Sequence, residues 1–132
     1  YSAYCILPSG EAYSLEDKVA IERKMNLDEL AMCYTRERPR FIREFERSAA
    51  SNATVYLVVE NADWEKVYNG TYRSKMEPKA FSASIHAWPA KYGCHVYFCK
   101  EDTTGLLIRD ILYREMKYRL EALPDEQYSA DN

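Results

Sequence analysis

The sequence feature that most constrains the fold is an unbroken apolar run from Val55 to Val59, which follows Thr54 and is rich in β-branched residues. A strand with one face in water alternates apolar and polar residues, whereas a strand covered on both faces is apolar throughout. The run therefore predicts a central strand with helices on both faces of its sheet. The chain has 132 residues, which suits one such domain but not two.

The rest of the chain divides into short strands and longer helices around that run. Three short early strands suggest a meander, in which the loop at 16–18 joins the second and third strands as a hairpin. The predicted elements are strands over 3–7, 13–15, 19–23, 54–59 and 94–99, and helices from 26, over 38–50, over 78–92 and over 104–123. The alternation of strand and helix after residue 54 predicts a layered α/β domain.

The charge balance excludes one broad class of protein. Lysine and arginine number 18 against 21 aspartates and glutamates, so the net charge is −3 and no basic field marks the whole chain as a nucleic-acid binder. A polyanion would have to be held by a local patch. The candidate patch consists of Arg36, Arg38, Arg40, Arg43 and Arg47. The same spacing also suits a solvated helix face with ion pairs to neighbouring glutamates.

Two further features indicate the setting. No apolar stretch approaches the roughly 18 residues of a membrane span, so we expect a soluble protein without a membrane partner. The four cysteines include no CxxC pair, which favours a reducing, intracellular setting, cytoplasmic if the source is a bacterium or a phage. Cys94, His95, Cys99 and His86 have the composition of a zinc site, but the alternating strand that carries three of them favours buried free thiols.

The residues with the clearest chemical meaning are Glu22, Arg23 and Lys24, at the end of the third predicted strand. Alternation along a strand puts Glu22 and Lys24 on one face and Arg23 on the other. In the predicted hairpin Glu11 comes within reach of Glu22, and two carboxylates beside a lysine form a site for a hard divalent cation. Such a cation lowers the pKa of bound water, which suits phosphodiester hydrolysis. The competing interpretation is a solvated strand end without function.

Asp28 follows Lys24 by four residues, in the first turn of the next predicted helix. From this position it could bind a metal or a metal-bound water. It could equally act only as a negative charge that complements the helix dipole. The residues alone leave both interpretations open.

These residues resemble the nuclease motif of the XPF family, written as GD, a spacer and ERKxxxD. The matching stretches are Gly10-Glu11, Glu22-Arg23-Lys24 with Asp28, Arg40-Phe41 with Glu44, the apolar strand ending at Glu60, and 84–99. The resemblance implies a restriction-endonuclease-like α/β fold with a mixed central sheet flanked by helices. It also implies a Mg²⁺-dependent DNA endonuclease, with Mn²⁺ as a substitute, that cuts near branches or junctions in DNA repair or recombination. The implied DNA partner is branched or flap DNA.

The resemblance also implies roles for particular residues. The implied catalytic set is Glu11, Glu22, Arg23, Lys24 and Asp28, of which Glu11, Glu22 and Asp28 would be the metal ligands. Lys24 would orient water or stabilise charge, and Arg23 would be structural or would contact phosphate. The expected DNA contacts are Arg38, Arg40, Arg73 and Lys75. The implied partner besides DNA is a second copy of the chain, which would cover part of the last helix, including Leu107 or Tyr113.

The sequence departs from the family pattern near its start. Glu11 stands where the family has the shorter aspartate, so Asp17 is an alternative ligand. A leading acidic strand found in many members would precede Tyr1, so we expect an N-terminus that is truncated relative to theirs. The expected organisation is an XPF-like nuclease domain over 1–123 and an acidic flexible tail over 124–132. The alternatives are a catalytically inactive scaffold of the same fold, which binds DNA or dimerises, and an unrelated α/β protein.

Overall fold

The structure, a computed structural model, describes residues 1–124, so all but the first residue of the predicted acidic tail lies outside the described residues. The elements are β1 (Tyr4–Ile6), β2 (Ala12–Ser14), β3 (Val19–Lys24), α1 (Leu27–Tyr34), α2 (Arg38–Ala50), β4 (Thr54–Glu60), α3 (Trp64–Asn69), α4 (Pro78–Tyr92), β5 (His95–Cys99), a 3₁₀ turn (Glu101–Thr103) and α5 (Thr104–Glu121). Over these residues, no helix has the length and apolar character of a membrane span.

The centre of the molecule is a parallel sheet in the order β3-β4-β5. The middle strand, β4, pairs with β3 along Thr54–Val59 and with β5 along Tyr56–Glu60. Leu57, Val58 and Val59 have no exposed surface, because helices cover both faces of this strand. The prediction of a central strand is confirmed.

Different helices cover the two faces of the sheet. On one face α1, α2 and α4 bury an aromatic cluster with β4, consisting of Phe41, Phe45, Phe81, Trp88 and their neighbours. On the other face α5 packs through Ile108 and Ile111. The two faces are called here the α2 face and the α5 face. In β5, Val96 and Phe98 pack toward the α2 face, and alternation places His95 and Tyr97 with Tyr56 on the α5 face.

The predicted hairpin between the second and third strands is wrong. β2 pairs antiparallel with β1 instead, and these two strands form a sheet of their own. The reason lies at Leu15, whose side chain is fully buried and whose carbonyl accepts hydrogen bonds from the N–H groups of Lys18 and Val19, both at 2.9 Å. This helical turn leads the chain directly into β3, which then pairs in parallel with β4 over all six of its residues.

The helix α3 was not predicted from the sequence. Its start is capped by Asp63, whose Oδ1 accepts a hydrogen bond from the N–H of Lys66 at 2.8 Å. Its end is set by Gly70, which adopts a left-handed φ of 73°. The helix has only six residues and therefore less than two turns of apolar periodicity, which explains why the pattern did not indicate it.

Candidate active site

The charged end of β3 divides its side chains between the two faces of the sheet. Glu22 and Lys24 share the α2 face with the buried residues of β4 that lie opposite them, Leu57 and Val59. Arg23 points to the α5 face. The alternation predicted from the sequence is therefore confirmed, and one acid and one amine lie on the same side of the sheet, beneath α2.

Glu22 is a half-buried carboxylate in a charged neighbourhood. Burial is the main cause that raises the pKa of Glu22, and the negative charge of Glu44 on α2 raises it further, while Lys24 and Arg40 act in the opposite direction. Glu22 and Glu44 line a shallow groove between β3 and α2, together with Arg47. Glu44 is thus the acid whose charge acts on the pKa of Glu22.

Lys24 is held between α1 and α2. Its Nζ atom lies 4.9 Å from the centroid of the Phe41 ring, which is a cation–π distance. It also lies beside the thiol of Cys33, whose pKa burial raises to about 11 although Lys24 opposes that effect. The ammonium group is therefore placed by packing close to Glu22.

Arg23 has a different partner on the α5 face. Its Nη2 lies 2.7 Å from Oε1 of Glu60, the last residue of β4, and only 2% of Glu60 is exposed. The hydroxyl of Thr104, at the start of α5, donates to the other oxygen of the same carboxylate. The hydrogen bonds from Arg23 and Thr104 lower the pKa of Glu60. Of the two roles expected for Arg23, the geometry supports the structural one.

Asp28 faces a loop. Its Oδ1 accepts hydrogen bonds from the backbone N–H groups of Arg73 and Ser74, both at 2.8 Å. The cap of α1 is supplied by Asn26 instead, whose Oδ1 accepts a hydrogen bond from the N–H of Glu29 at 2.9 Å.

The two remaining acids named from the sequence are exposed. Glu11 lies at the turn between β1 and β2, where its backbone carbonyl accepts from the N–H of Leu7 at 2.8 Å. Because β2 does not pair with β3, the hairpin geometry that brought Glu11 toward Glu22 is not formed. Asp17 is 3.4 Å from the ammonium group of Lys18.

The acids of this region offer a partial fit to a divalent cation. Among residues 1–124 no group of three or more His, Cys, Asp or Glu side chains is placed to hold a metal. Mg²⁺ is, however, commonly bound by one or two carboxylates together with substrate phosphate. Glu22 and Glu44 line one groove and are the two carboxylates of this region that such a cation would use.

The arginines of α2 lie on its exposed side. Arg40 forms an ion pair with Glu37 at 3.1 Å, so part of the solvated-face interpretation holds. Arg40, Arg43 and Arg47 are spaced by three and four residues and form one stripe, called here the arginine stripe, which reaches the Glu22 groove at Arg47. Arg38 is exposed at the start of α2, and Arg73 and Lys75 are exposed on the segment before α4.

Two residues at this site were not among the site residues predicted from the sequence. Glu44 and Arg47 line the same groove as Glu22, although Arg47 was noted as part of the arginine patch. The helical spacing of Arg40, Glu44 and Arg47 is the signal that could have identified them, since residues three and four apart share a helix face.

A comparison with solved structures identifies a similar fold. XPF from Aeropyrum pernix aligns with a TM-score of 0.53 and 23% identity, over 89% of this chain and 59% of that chain. The chain matches no family model and no curated protein. The likeness shows the fold, which is a restriction-endonuclease-like α/β fold with a parallel three-stranded sheet flanked by helices. The predicted fold class is confirmed, except that the central sheet is parallel and not mixed, because the antiparallel pair of β1 and β2 forms a separate sheet.

Proposed function

We propose that this chain is a metal-dependent endonuclease that hydrolyses phosphodiester bonds in DNA near branches or junctions. The observation that supports it most is the placement of Glu22 and Lys24 on one face of a nuclease-like fold, half-buried and beside the arginine stripe of α2. An acid, an amine and a basic surface at one edge are the parts that phosphodiester cleavage needs.

The proposed divalent cation is Mg²⁺, with Mn²⁺ as a substitute. When bound, it would neutralise phosphate charge and lower the pKa of a water molecule. Glu22 would hold it. The second acid is either Glu44, which the fold brings close, or Glu11, which the resemblance to the XPF motif implies. Lys24 would orient the attacking water or stabilise the negative charge that develops on the phosphate.

The proposed DNA contacts lie on two exposed basic surfaces. Arg38 and the arginine stripe would contact phosphates beside Glu22, and Arg73 with Lys75 would contact them farther along the duplex. All of these contacts would be to phosphates, which position DNA without reading its sequence. Preference for branches would then depend on the shape of the DNA.

A second copy of the chain is the other proposed partner. Tyr97 of the edge strand β5 and Tyr118 of α5 are exposed and line one groove with the half-buried Leu107. Leu106 and Tyr113, which share another face of α5, are each more than half exposed. Large exposed apolar side chains that adjoin one another are typical of a protein interface. We propose that this surface forms a homodimer, which would present two basic surfaces to one branched DNA.

The alternative is a catalytically inactive scaffold that binds DNA or dimerises. The observation that favours it is the use of two motif residues in structural contacts: Arg23 in the ion pair with Glu60, and Asp28 in hydrogen bonds to a loop. Under this alternative the chain binds branched DNA and leaves it intact.

Incubation of the chain with flap, fork and linear DNA in Mg²⁺, Mn²⁺ or Ca²⁺ distinguishes the two functions. The proposal predicts cutting of flap or fork DNA in Mg²⁺ or Mn²⁺ and binding without cutting in Ca²⁺. Binding without cutting in every metal would select the scaffold, and the absence of both would contradict both.

A further inference from the structure

The segment 71–77, which joins α3 to α4, displays two cations at fixed positions. Its residues alternate between half-buried and exposed: Tyr72, Ser74 and Met76 face inward, while Arg73 and Lys75 face solvent. Residues 72–74 form a bend and not a strand, so the alternation is one of burial alone. Arg73 and Lys75 are both exposed to solvent, on either side of the half-buried Ser74.

Local contacts hold the inward side of the segment. The hydroxyl of Tyr72 donates to the carbonyl of Met76 at 2.6 Å, and the N–H of Met76 donates to Oγ of Ser74 at 3.2 Å. The ring of Tyr72 packs edge-on against Phe81 of α4, with ring centroids 5.1 Å apart. These contacts shape the segment but do not connect it to β3 or α1.

Asp28 makes the connection to α1. One oxygen, Oδ1, accepts from the N–H groups of both Arg73 and Ser74, each at 2.8 Å, across more than forty residues of sequence. An ionised acceptor of two backbone donors forms strong, directed hydrogen bonds. The two peptide groups on either side of Arg73 are thereby fixed relative to the helix that begins just after Lys24.

We propose that Asp28 is a positioning residue that sets the 71–77 segment so that Arg73 and Lys75 contact phosphates of the bound DNA farther along the duplex from the Glu22 and Lys24 site. The proposal rests on the proposed function, because the DNA is the one that would be cut there. It differs from the role that the motif implies, since Asp28 then acts through its acceptor oxygen and not as a metal ligand.

Substitution of Asp28 by Asn or by Ala distinguishes the positioning role from the role as a metal ligand. Both substitutions, Asp28→Asn and Asp28→Ala, remove the negative charge from the first turn of α1, but only Asn keeps an Oδ1 acceptor at the same reach. Asp28→Ser, whose hydroxyl is shorter, serves as a second truncation if Asp28→Ala does not fold. Three quantities are measured for every Asp28 variant: amide hydrogen exchange at Arg73 and Ser74, affinity for Mn²⁺ by titration, and DNA affinity in Ca²⁺. The Arg73→Ala/Lys75→Ala variant is the reference for the loss of DNA affinity without the two cations.

The positioning role predicts that exchange at Arg73 and Ser74 speeds up in the truncated variants and stays slow in Asp28→Asn. DNA affinity should fall by about 3- to 10-fold in the truncated variants, because Arg73 and Lys75 would lose their phosphate contacts. In Asp28→Asn it should stay within about 2-fold of the wild-type affinity. Affinity for Mn²⁺ should be unchanged in all of them.

Three results would each overturn the proposal. The first is amide exchange at Arg73 and Ser74 that stays unchanged in the truncated variants. The second is loss of Mn²⁺ binding in Asp28→Asn. The third is an unchanged DNA affinity of the truncated variants when the Arg73→Ala/Lys75→Ala variant binds DNA more weakly than the wild type. A wild-type chain that binds no DNA would refute the proposed function instead, and the exchange measurement would still decide whether Asp28 holds the segment.

Discussion

Arg23 and Glu60 form an ion pair of 2.7 Å on the face of the sheet opposite to Glu22 and Lys24. Three consecutive residues of β3 therefore have two functions. Glu22 and Lys24 face the candidate site, and Arg23 between them neutralises a buried carboxylate at the end of β4. The pair joins β3 to β4 and, through Thr104, to the start of α5. The junction lies at the end of β3 that also carries Glu22 and Lys24.

Arg23→Met should destabilise the fold, because it leaves the buried Glu60 carboxylate without its cation. The pKa of Glu60 is lowered in the folded state, so the stabilisation by its ionised form is present above the ordinary glutamate pKa and is lost as the pH falls through the lowered value. Thermal unfolding should show a decrease in Tm of several degrees at pH 7 that shrinks in acid. Arg23→Lys, which keeps the charge, should be milder, and an unchanged Tm for Arg23→Met would contradict the structural role.

Glu22→Gln should stabilise the fold at neutral pH. The pKa of Glu22 is raised in the folded state, so its ionised form costs stability above that pKa, and the cost disappears as the pH falls through it toward the ordinary value. Tm should therefore rise by a few degrees at pH 8 and differ less from the wild type at pH 4. A variant that is less stable than the wild type at pH 8 would show that Lys24 compensates Glu22 fully.

Glu44→Gln should shift the pH dependence of cleavage. The negative charge of Glu44 raises the pKa of Glu22, so its removal should move the acidic limb of the pH–rate profile to lower pH. Glu46→Gln, a change on the exposed side of the same helix, is the matched control and should leave the profile in place. Identical profiles for all three proteins would remove Glu44 from the site.

Neutralising the arginine stripe should weaken DNA binding without changing substrate preference. Each of Arg40→Ala, Arg43→Ala and Arg47→Ala should reduce the slope of log affinity against log salt by about 1, as for one lost phosphate contact. Arg109→Ala removes an exposed arginine from α5 and should leave the slope unchanged. Equal slopes in all four variants and the wild type, measured by fluorescence anisotropy, would place the DNA elsewhere.

The fold could be predicted largely because its signals are local. The apolar run Thr54–Val59 defines a strand covered on both faces, and the stripes of Phe41 with Phe45 and of Phe81 with Trp88 define helices long enough to show their period. α3 was missed because six residues do not establish that period. The faces of Glu22, Arg23 and Lys24 followed from strand alternation alone.

The pairing of strands and the second acid of the site could not be predicted in the same way. Whether β2 pairs with β1 or with β3 depends on where the Leu15 side chain is buried, and it packs in one cluster with Val58 and Ile108, which are distant in sequence. The position assigned to Glu11 depended on that choice. The partners of Arg23 and Asp28 lie more than thirty residues away in each case. Strand and helix periodicity carries no information on such pairs. Only the folded chain therefore reveals that Arg23 and Asp28 make structural contacts.

The most direct test of the central claim is the single-turnover rate of flap cleavage in Mg²⁺ for the wild type, Glu22→Gln and Lys24→Ala, with DNA affinity measured in parallel. We expect the wild type to cut the flap and each variant to lose at least about 100-fold in rate while still binding DNA, as when a group that stabilises the transition state is removed. Arg109→Ala should cut at the wild-type rate. Equal rates for the wild type and both site variants, or a wild type that leaves every flap intact, would contradict the claim that Glu22 and Lys24 form an active site.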